Sequence, residues 1–229
     1  MANSSELVSV LLSVYNSEKT LEDSIKSLLN QTHSNLEILI ANDGSTDSSK
    51  EICRKFQLKD ERIVFFDSKV NIGLTKSLNN LAKEAKGSLI ARQDADDISF
   101  PMRIEKQIQF MNRKKLDAVT TRSLIKQSNK KRPGISFYIP NKLLINIKNP
   151  FIHGTLVIKK NVFQQIGYYD ERFYFAQDYK LFFDLIHSGY KVKTLNETLY
   201  VLNIENNISS DNLNKQNYYA DCVKRRKAP

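Results

Sequence analysis

The chain has 229 residues, a formal net charge of +10, 41% hydrophobic residues and 26% charged ones. These are values of a globular protein with a sizeable core. No apolar run reaches membrane-spanning length, and the N-terminus lacks the charged-then-apolar layout of a secretory leader. The expected location is therefore the cytosol, with peripheral contact on the inner face of the membrane as a further option.

The charge is localised. Between Arg113 and Lys148 stand ten basic residues and a single acidic one, Asp117, and Lys224-Arg225-Arg226-Lys227 closes the chain. A solvated face and a basic tail would explain this pattern, and so would attraction to an anionic surface such as a membrane leaflet or a lipid-borne phosphate. Nucleic acid is not expected, because no recognition-helix, zinc-finger or aromatic ribonucleoprotein pattern accompanies the charge. The two cysteines, Cys53 and Cys222, have no metal or redox spacing, and Cys53 falls on the apolar side of a helix pattern.

In chain order, residues 7–14 read as a buried strand, and Leu21, Ile25, Leu28 and Leu29 recur at helical spacing. Residues 36–41 form a second strand, ended by the dense turn signal Asn42-Asp43-Gly44-Ser45. Ser48 and Glu51 have the spacing of a capping box for the next helix. A third strand is expected at 63–66, a helix on the stripe Leu74, Leu78, Leu81 and Ala85, and a fourth strand at 88–92 after Gly87. Pro101 suits the first turn of a helix whose buried face is Ile104, Ile108 and Met111. A basic, loop-rich stretch follows. Then come a short strand at 155–158, a helix over 178–187, two closing strands at 191–194 and 198–202, and a polar tail with a short terminal helix.

Strands joined by helical crossovers imply an α/β fold with a mostly parallel sheet covered on both faces. Ligands bind such sheets at the carboxyl ends of the strands, where strand order reverses. The glycine-rich phosphate loops of dinucleotide and P-loop sites are absent. In their place stand carboxylates at strand ends, above all Asp94-Ala95-Asp96-Asp97. Carboxylates repel a diphosphate directly but hold it through a hard divalent cation, and they also accept hydrogen bonds from a base or a ribose.

The motifs Ser9-Val10-Leu11-Leu12-Ser13-Val14-Tyr15-Asn16, Asn42-Asp43-Gly44-Ser45-Thr46-Asp47, Asn71-Ile72-Gly73-Leu74, Asp94-Ala95-Asp96-Asp97 and Ala176-Gln177-Asp178-Tyr179 resemble, in order and spacing, the family 2 glycosyltransferases. The resemblance covers about the first 200 residues. It implies the GT-A fold, a Rossmann-like sheet with helices on both faces and a less regular second half. Residues 1–203 would form one domain, with a nucleotide-binding half at 1–100 and an acceptor half at 101–203, and 204–229 would be a polar, basic tail.

The resemblance also implies roles. Ser13, Tyr15, Asn16 and Asn71 would line the nucleotide site, Asp43 would bond the uracil edge, and Asp94 would lie by the ribose. Asp96 would hold the divalent metal, Mn2+ or Mg2+, on the diphosphate of a UDP-sugar. Asp178 would be the general base in a single inverting displacement, with His153 and Gln177 facing a saccharide acceptor, of which one carried on a lipid diphosphate would suit the localised basic charge. Plainer readings exist for several of these residues. Asp43 before Gly44 is also turn chemistry, Asp97 and Ser99 are also caps, Asp178 also complements a helix dipole, and His153 is also an ordinary loop residue. Relatives often carry an arginine and a histidine just after the final strand, but Asn203-Ile204-Glu205 has neither. That departure keeps open a catalytically weak nucleotide-sugar-binding or scaffolding protein of an assembly complex, and if the localised charge is incidental the alternative is a transferase acting on a soluble or protein acceptor.

Overall fold

The structure is a computed structural model that describes residues 6–205 and 212–229. Strand β1 (Val8–Val14) is buried along its whole length, as a strand covered on both faces must be, and this accounts for its unbroken apolar run. It is followed by α1 (Leu21–Leu29), β2 (Leu36–Asp43), α2 (Ser49–Gln57), β3 (Ile63–Ser68), α3 (Leu74–Glu84) and β4 (Leu89–Arg92). Strands β1 to β4 pair in parallel, in the order β3-β2-β1-β4. Strand order therefore reverses at β1, which has β2 on one side and β4 on the other. Arg92, the last residue of β4, sits opposite Leu11, whereas β1 runs on to Val14. The early end of β4 opens the crevice into which residues 93–97 turn.

The second half extends the same sheet. It contains β5 (Ile98–Ser99), α4 (Arg103–Lys114), β6 (Ala118–Ile125), β7 (Lys131–Arg132), a 3-10 turn at Ile135–Tyr138 and α5 (Asn141–Leu144). A second 3-10 turn at His153–Thr155 leads into β8 (Val157–Lys159), α6 (Lys160–Gln165), α7 (Gln177–His187), β9 (Val192–Leu202) and α8 (Leu213–Lys224). Strand β8 runs antiparallel between β4 and β6, and β9 pairs parallel with β6. Two apolar layers cover the sheet. Leu21, Ile25, Cys53, Ile104 and Ile108 of α1, α2 and α4 pack on one face, and Leu78, Phe163, Phe182 and Cys222 of α3, α6, α7 and α8 pack on the other.

Several local expectations are corrected. The stretch read as basic loop contains β6, a mostly buried strand; its β-branched Val119, Thr120 and Thr121 suit a pleated surface, and the flanking lysines obscured them. The two closing strands are one, β9, whose pairing with β6 shifts register around Arg122. The Ser48–Glu51 capping box does not form. Ser48 has a near-helical ψ of 7° rather than the extended conformation of a cap, and Asp47 Oδ1 accepts from the Ser49 amide instead. Neither Asp97 nor Ser99 caps α4, where Met102 holds the cap position. Asp97 Oδ1 accepts from the Asn203 amide, and the Ser99 hydroxyl donates to Gln93 Oε1. Cys53 is buried as expected, and burial pushes its thiol up to about 12.

Candidate functional site

The loops after β1, β2 and β3 are tied into one rim. Asn16 stands at a φ of +48°, a left-handed geometry that asparagine tolerates. Its amide donates to the Ser45 hydroxyl, and its Oδ1 accepts from the Thr46 amide. Asp43 accepts from the Ile72 amide on one carboxylate oxygen and from the Gly73 amide on the other, each at 2.9 Å. Asn71 Oδ1 also accepts from Gly73. Asp43 thus holds the 71–73 loop whatever else it does, and only the remaining lone pairs of its oxygens are available to a base. Gly44 lets these loops meet: it has a φ of +73°, and a Cβ there would lie 2.6 Å from the Asn71 nitrogen. Ser13 donates to the Ser77 hydroxyl of α3, while the Tyr15 ring is half exposed on the rim.

Beneath the acidic run lie two buried arginines that the sequence reading missed. Arg92 Nη2 pairs with Asp94 Oδ1 at 2.5 Å, and Arg92 Nη1 donates to the Leu11 carbonyl. Fully buried Arg103 donates from Nη1 to the carbonyls of Arg92 and Gly154, and its guanidinium lies 5.5 Å from the centre of the Tyr200 ring. The Tyr200 hydroxyl in turn accepts from the Asp94 amide. The sequence carries only a weak signal for Arg103. It stands four residues before Gln107, beside the apolar stripe of α4, and both side chains are wholly buried.

The three carboxylates differ in environment. Asp94 has its arginine. Asp97 is held by the Asn203 amide with the Tyr200 hydroxyl beside it, and burial followed by the neighbouring Asp94 and Asp96 raises its pKa. Asp96 has no hydrogen bond to another residue and no ion pair among the described residues, only its own backbone amide beside the carboxylate, and burial followed by repulsion from Asp94 pushes its carboxyl up to about 6. Among the described residues no group of three or more His, Cys, Asp or Glu could hold a metal alone. A hard cation here would have one or two carboxylates and would need its other oxygens from outside the protein. The donor set does not fit a closed protein cage.

The acceptor-side candidates meet the acidic run through residues 149–154. Asp178, in the first turn of α7, accepts from Asn149 Nδ2 at 2.8 Å. Five residues on, a Cβ on Gly154 would lie 2.6 Å from Asp94 Oδ2 and 2.4 Å from the Tyr200 hydroxyl. One short segment thus touches both Asp178 and Asp94. Between these contacts sits His153, whose Nε2 is 2.7 Å from the Tyr169 hydroxyl. Burial, and then the Arg92 guanidinium, hold the imidazole below its usual pKa, so it is neutral at physiological pH. Gln177 begins α7 and is partly exposed. Asn149 was not foreseen as a contributor, and only its place in the motif containing His153 could have suggested it.

The sequence profile of Glycosyl transferase family 2 matches residues 9–169. The chain is 32% identical over 203 residues to the glycosyltransferase EpsE of Bacillus subtilis (strain 168), covering 86% of this chain and 73% of that protein. It is 30% identical over 223 residues to the O-antigen biosynthesis glycosyltransferase WbnJ of Escherichia coli, covering 95% and 86%. Among solved structures, residues 1–349 of S. aureus TarS in complex with UDP-GlcNAc superpose with a TM-score of 0.76 at 19% identity, over 90% of this chain and 60% of that one. The mannosyltransferase PcManGT of Pyrobaculum calidifontis, in complex with GDP-Man and Mn2+, gives a TM-score of 0.76 at 18% identity, over 100% and 68%. These two likenesses concern the fold, which is the expected GT-A architecture. With more than half its length matched by the family profile and two relatives at 30% identity or above, the chain belongs to glycosyl transferase family 2.

Proposed function

We propose that this glycosyltransferase moves a sugar from a UDP-sugar to a hydroxyl of a saccharide acceptor by one inverting displacement, in the assembly of a surface polysaccharide. The observation that carries the reading is the 149–154 segment, which links Asp178 to Asp94 across the crevice at the strand-order reversal. Ser13, Tyr15, Asn16, Asp43 and Asn71 line the nucleoside side, and Asp94, fixed by Arg92, meets the ribose. Asp96 is the metal-side carboxylate: of the three it is the one that no other described residue bonds or pairs with, so a cation there relieves both its burial and its repulsion from Asp94. A divalent metal bound at Asp96 would neutralise charge on the departing diphosphate.

Asp178 accepts the proton from the attacking hydroxyl, and the Asn149 amide fixes the carboxylate for that transfer. Neutral His153, with Gln177 beside the base, offers hydrogen bonds to the acceptor. The product has the opposite anomeric configuration to the donor. The excess of basic residues at 113–148 supports an acceptor carried on a lipid diphosphate. Polysaccharide assembly is supported by the likeness to WbnJ, UDP by that to TarS, and metal dependence by that to PcManGT, although PcManGT carries a guanosine donor.

A panel of UDP- and GDP-sugars, each with Mn2+ or with a chelator, tests the donor class by thermal stabilisation. A saturating donor should stabilise by about 2.7 kcal/mol at a hundredfold excess over Kd. UDP-sugars with metal are expected to raise Tm, and Asp96→Ala to remove the metal-dependent part. Stabilisation by GDP-sugars alone would overturn the uridine assignment. A metal-independent rise that is unchanged in Asp96→Ala would overturn the role of Asp96.

A further inference from the structure

We propose that residues 131–148 form a docking surface for an anionic lipid bilayer, with apolar side chains entering the interface and lysines meeting the head groups. This deepens the reading of a lipid-linked acceptor and does not depend on the chemistry of the donor site.

Five large apolar side chains are exposed within thirteen residues: Ile135 at 88%, Tyr138 at 74%, Leu143 at 63%, Ile147 at 69% and Ile139 at 43%. Their spacing is not random. Ile135 and Tyr138 are three apart in a 3-10 turn, where such positions eclipse. Leu143 lies in α5, and Ile147, four residues on, lies in the turn that continues it, where the Ile147 amide donates to the Leu144 carbonyl. The opposite side of this turn is anchored. Leu144 and Ile145 are buried, and the Tyr179 hydroxyl of α7 donates to the Ile145 carbonyl at 2.7 Å. Leu143 and Ile147 are therefore held outward by a fixed backbone.

The charge of the segment selects the partner. No acidic residue occurs between Asp117 and Asp170, while Lys126, Lys130, Lys131, Arg132, Lys142 and Lys148 bracket the apolar positions. None of these six forms a salt bridge among the described residues, in contrast to Lys50, Lys106 and Lys159 elsewhere. Short turns with apolar tips and basic flanks match an anionic interface, which takes insertion and electrostatic attraction together. An acidic protein partner would satisfy the lysines but leave the apolar side chains of two separate turns without a shared groove. Tyr179 adjoins Asp178, so docking here would hold the candidate base at a fixed height above the leaflet.

The chain contains no tryptophan, so Tyr138→Trp and, as a control at the exposed residue that caps α2, Leu58→Trp each give a single-site fluorescence reporter. With phosphatidylglycerol-containing vesicles the Tyr138→Trp emission should shift to the blue and be quenched by brominated lipid, while Leu58→Trp does neither. In flotation, the wild type should bind these vesicles in a salt-sensitive way and bind phosphatidylcholine vesicles weakly. The combined variant Ile135→Ser, Leu143→Ser, Ile147→Ser should lose at least about tenfold in vesicle affinity and keep its donor-induced thermal shift, which would separate a surface defect from a failed donor site. No flotation of the wild type would overturn the proposal. So would equal flotation of the triple variant, loss of flotation only when Lys224, Arg225, Arg226 and Lys227 are replaced by serine, or a wild-type dimer that the triple variant dissolves.

Discussion

At the scale of single residues, the acidic run divides into three carboxylates with different surroundings. Asp94 is paired with Arg92, Asp97 is pinned by the Asn203 amide, and Asp96 is left over. Because burial raises the Asp96 carboxyl to about 6, a proton and a cation compete for it near neutrality. The sign follows directly: above that pH the group is a free anion ready for a cation, and below it the proton must first leave. Metal-dependent donor affinity should therefore weaken by about tenfold per pH unit below about pH 6, which titration of donor with Mn2+ between about pH 5 and 7 would read. A flat profile would contradict a role for Asp96. The same shift bears on stability without metal. The folded state holds this proton more tightly than the unfolded chain does, so this group's contribution to stability falls as pH rises from about 4 to about 6. The carboxylates were legible in the sequence because three acids in four residues are costly without a partner. Arg92, Arg103 and Tyr200 were not, since an arginine beside an apolar stripe reads as a surface residue until the structure shows it wholly buried.

At the scale of elements, the first four strands were legible to within a residue or two because their apolar runs are long and their turns carry strong signals. β6 was hidden for the opposite reason: its eight residues include three with hydroxyl side chains and an arginine, and lysines flank it on both sides. The loops are where sequence and structure inform each other most. The Asn42-Asp43-Gly44-Ser45 turn was read both as turn chemistry and as a base contact, and the structure finds Asp43 bound to the 71–73 loop, with Gly44 allowing the approach. Gly44→Ala places a side chain at a positive φ and against backbone 2.6 Å away. The expected cost is about 2 kcal/mol or more, seen as a Tm lowered by roughly 4–8 °C, with donor affinity reduced as the two loops part. An unchanged Tm would mean that the loops do not meet as described.

At the scale of the whole molecule, one sheet carries both halves of the site. The parallel half ends in the crevice beside β1, and the mixed half brings α7 and the 149–154 segment across from it. No helix among the described residues is long and apolar enough to cross a membrane, so the proposed approach to a bilayer rests on the surface at 131–148. The doubt raised by Asn203-Ile204-Glu205 takes a physical form here. Asn203 meets Asp97 with its backbone amide, a contact that needs no particular side chain at that position. Whether the assembled crevice performs transfer is then a question about Asp178. The direct measurement compares donor affinity and the rate of sugar transfer to a lipid-linked acceptor extract for the wild type and Asp178→Asn. The account predicts a variant that binds donor almost as the wild type does and transfers about 10²–10⁴ times more slowly, as loss of a general base requires. A variant that transfers at the wild-type rate, or a wild type that binds donor and never transfers it, would contradict the account.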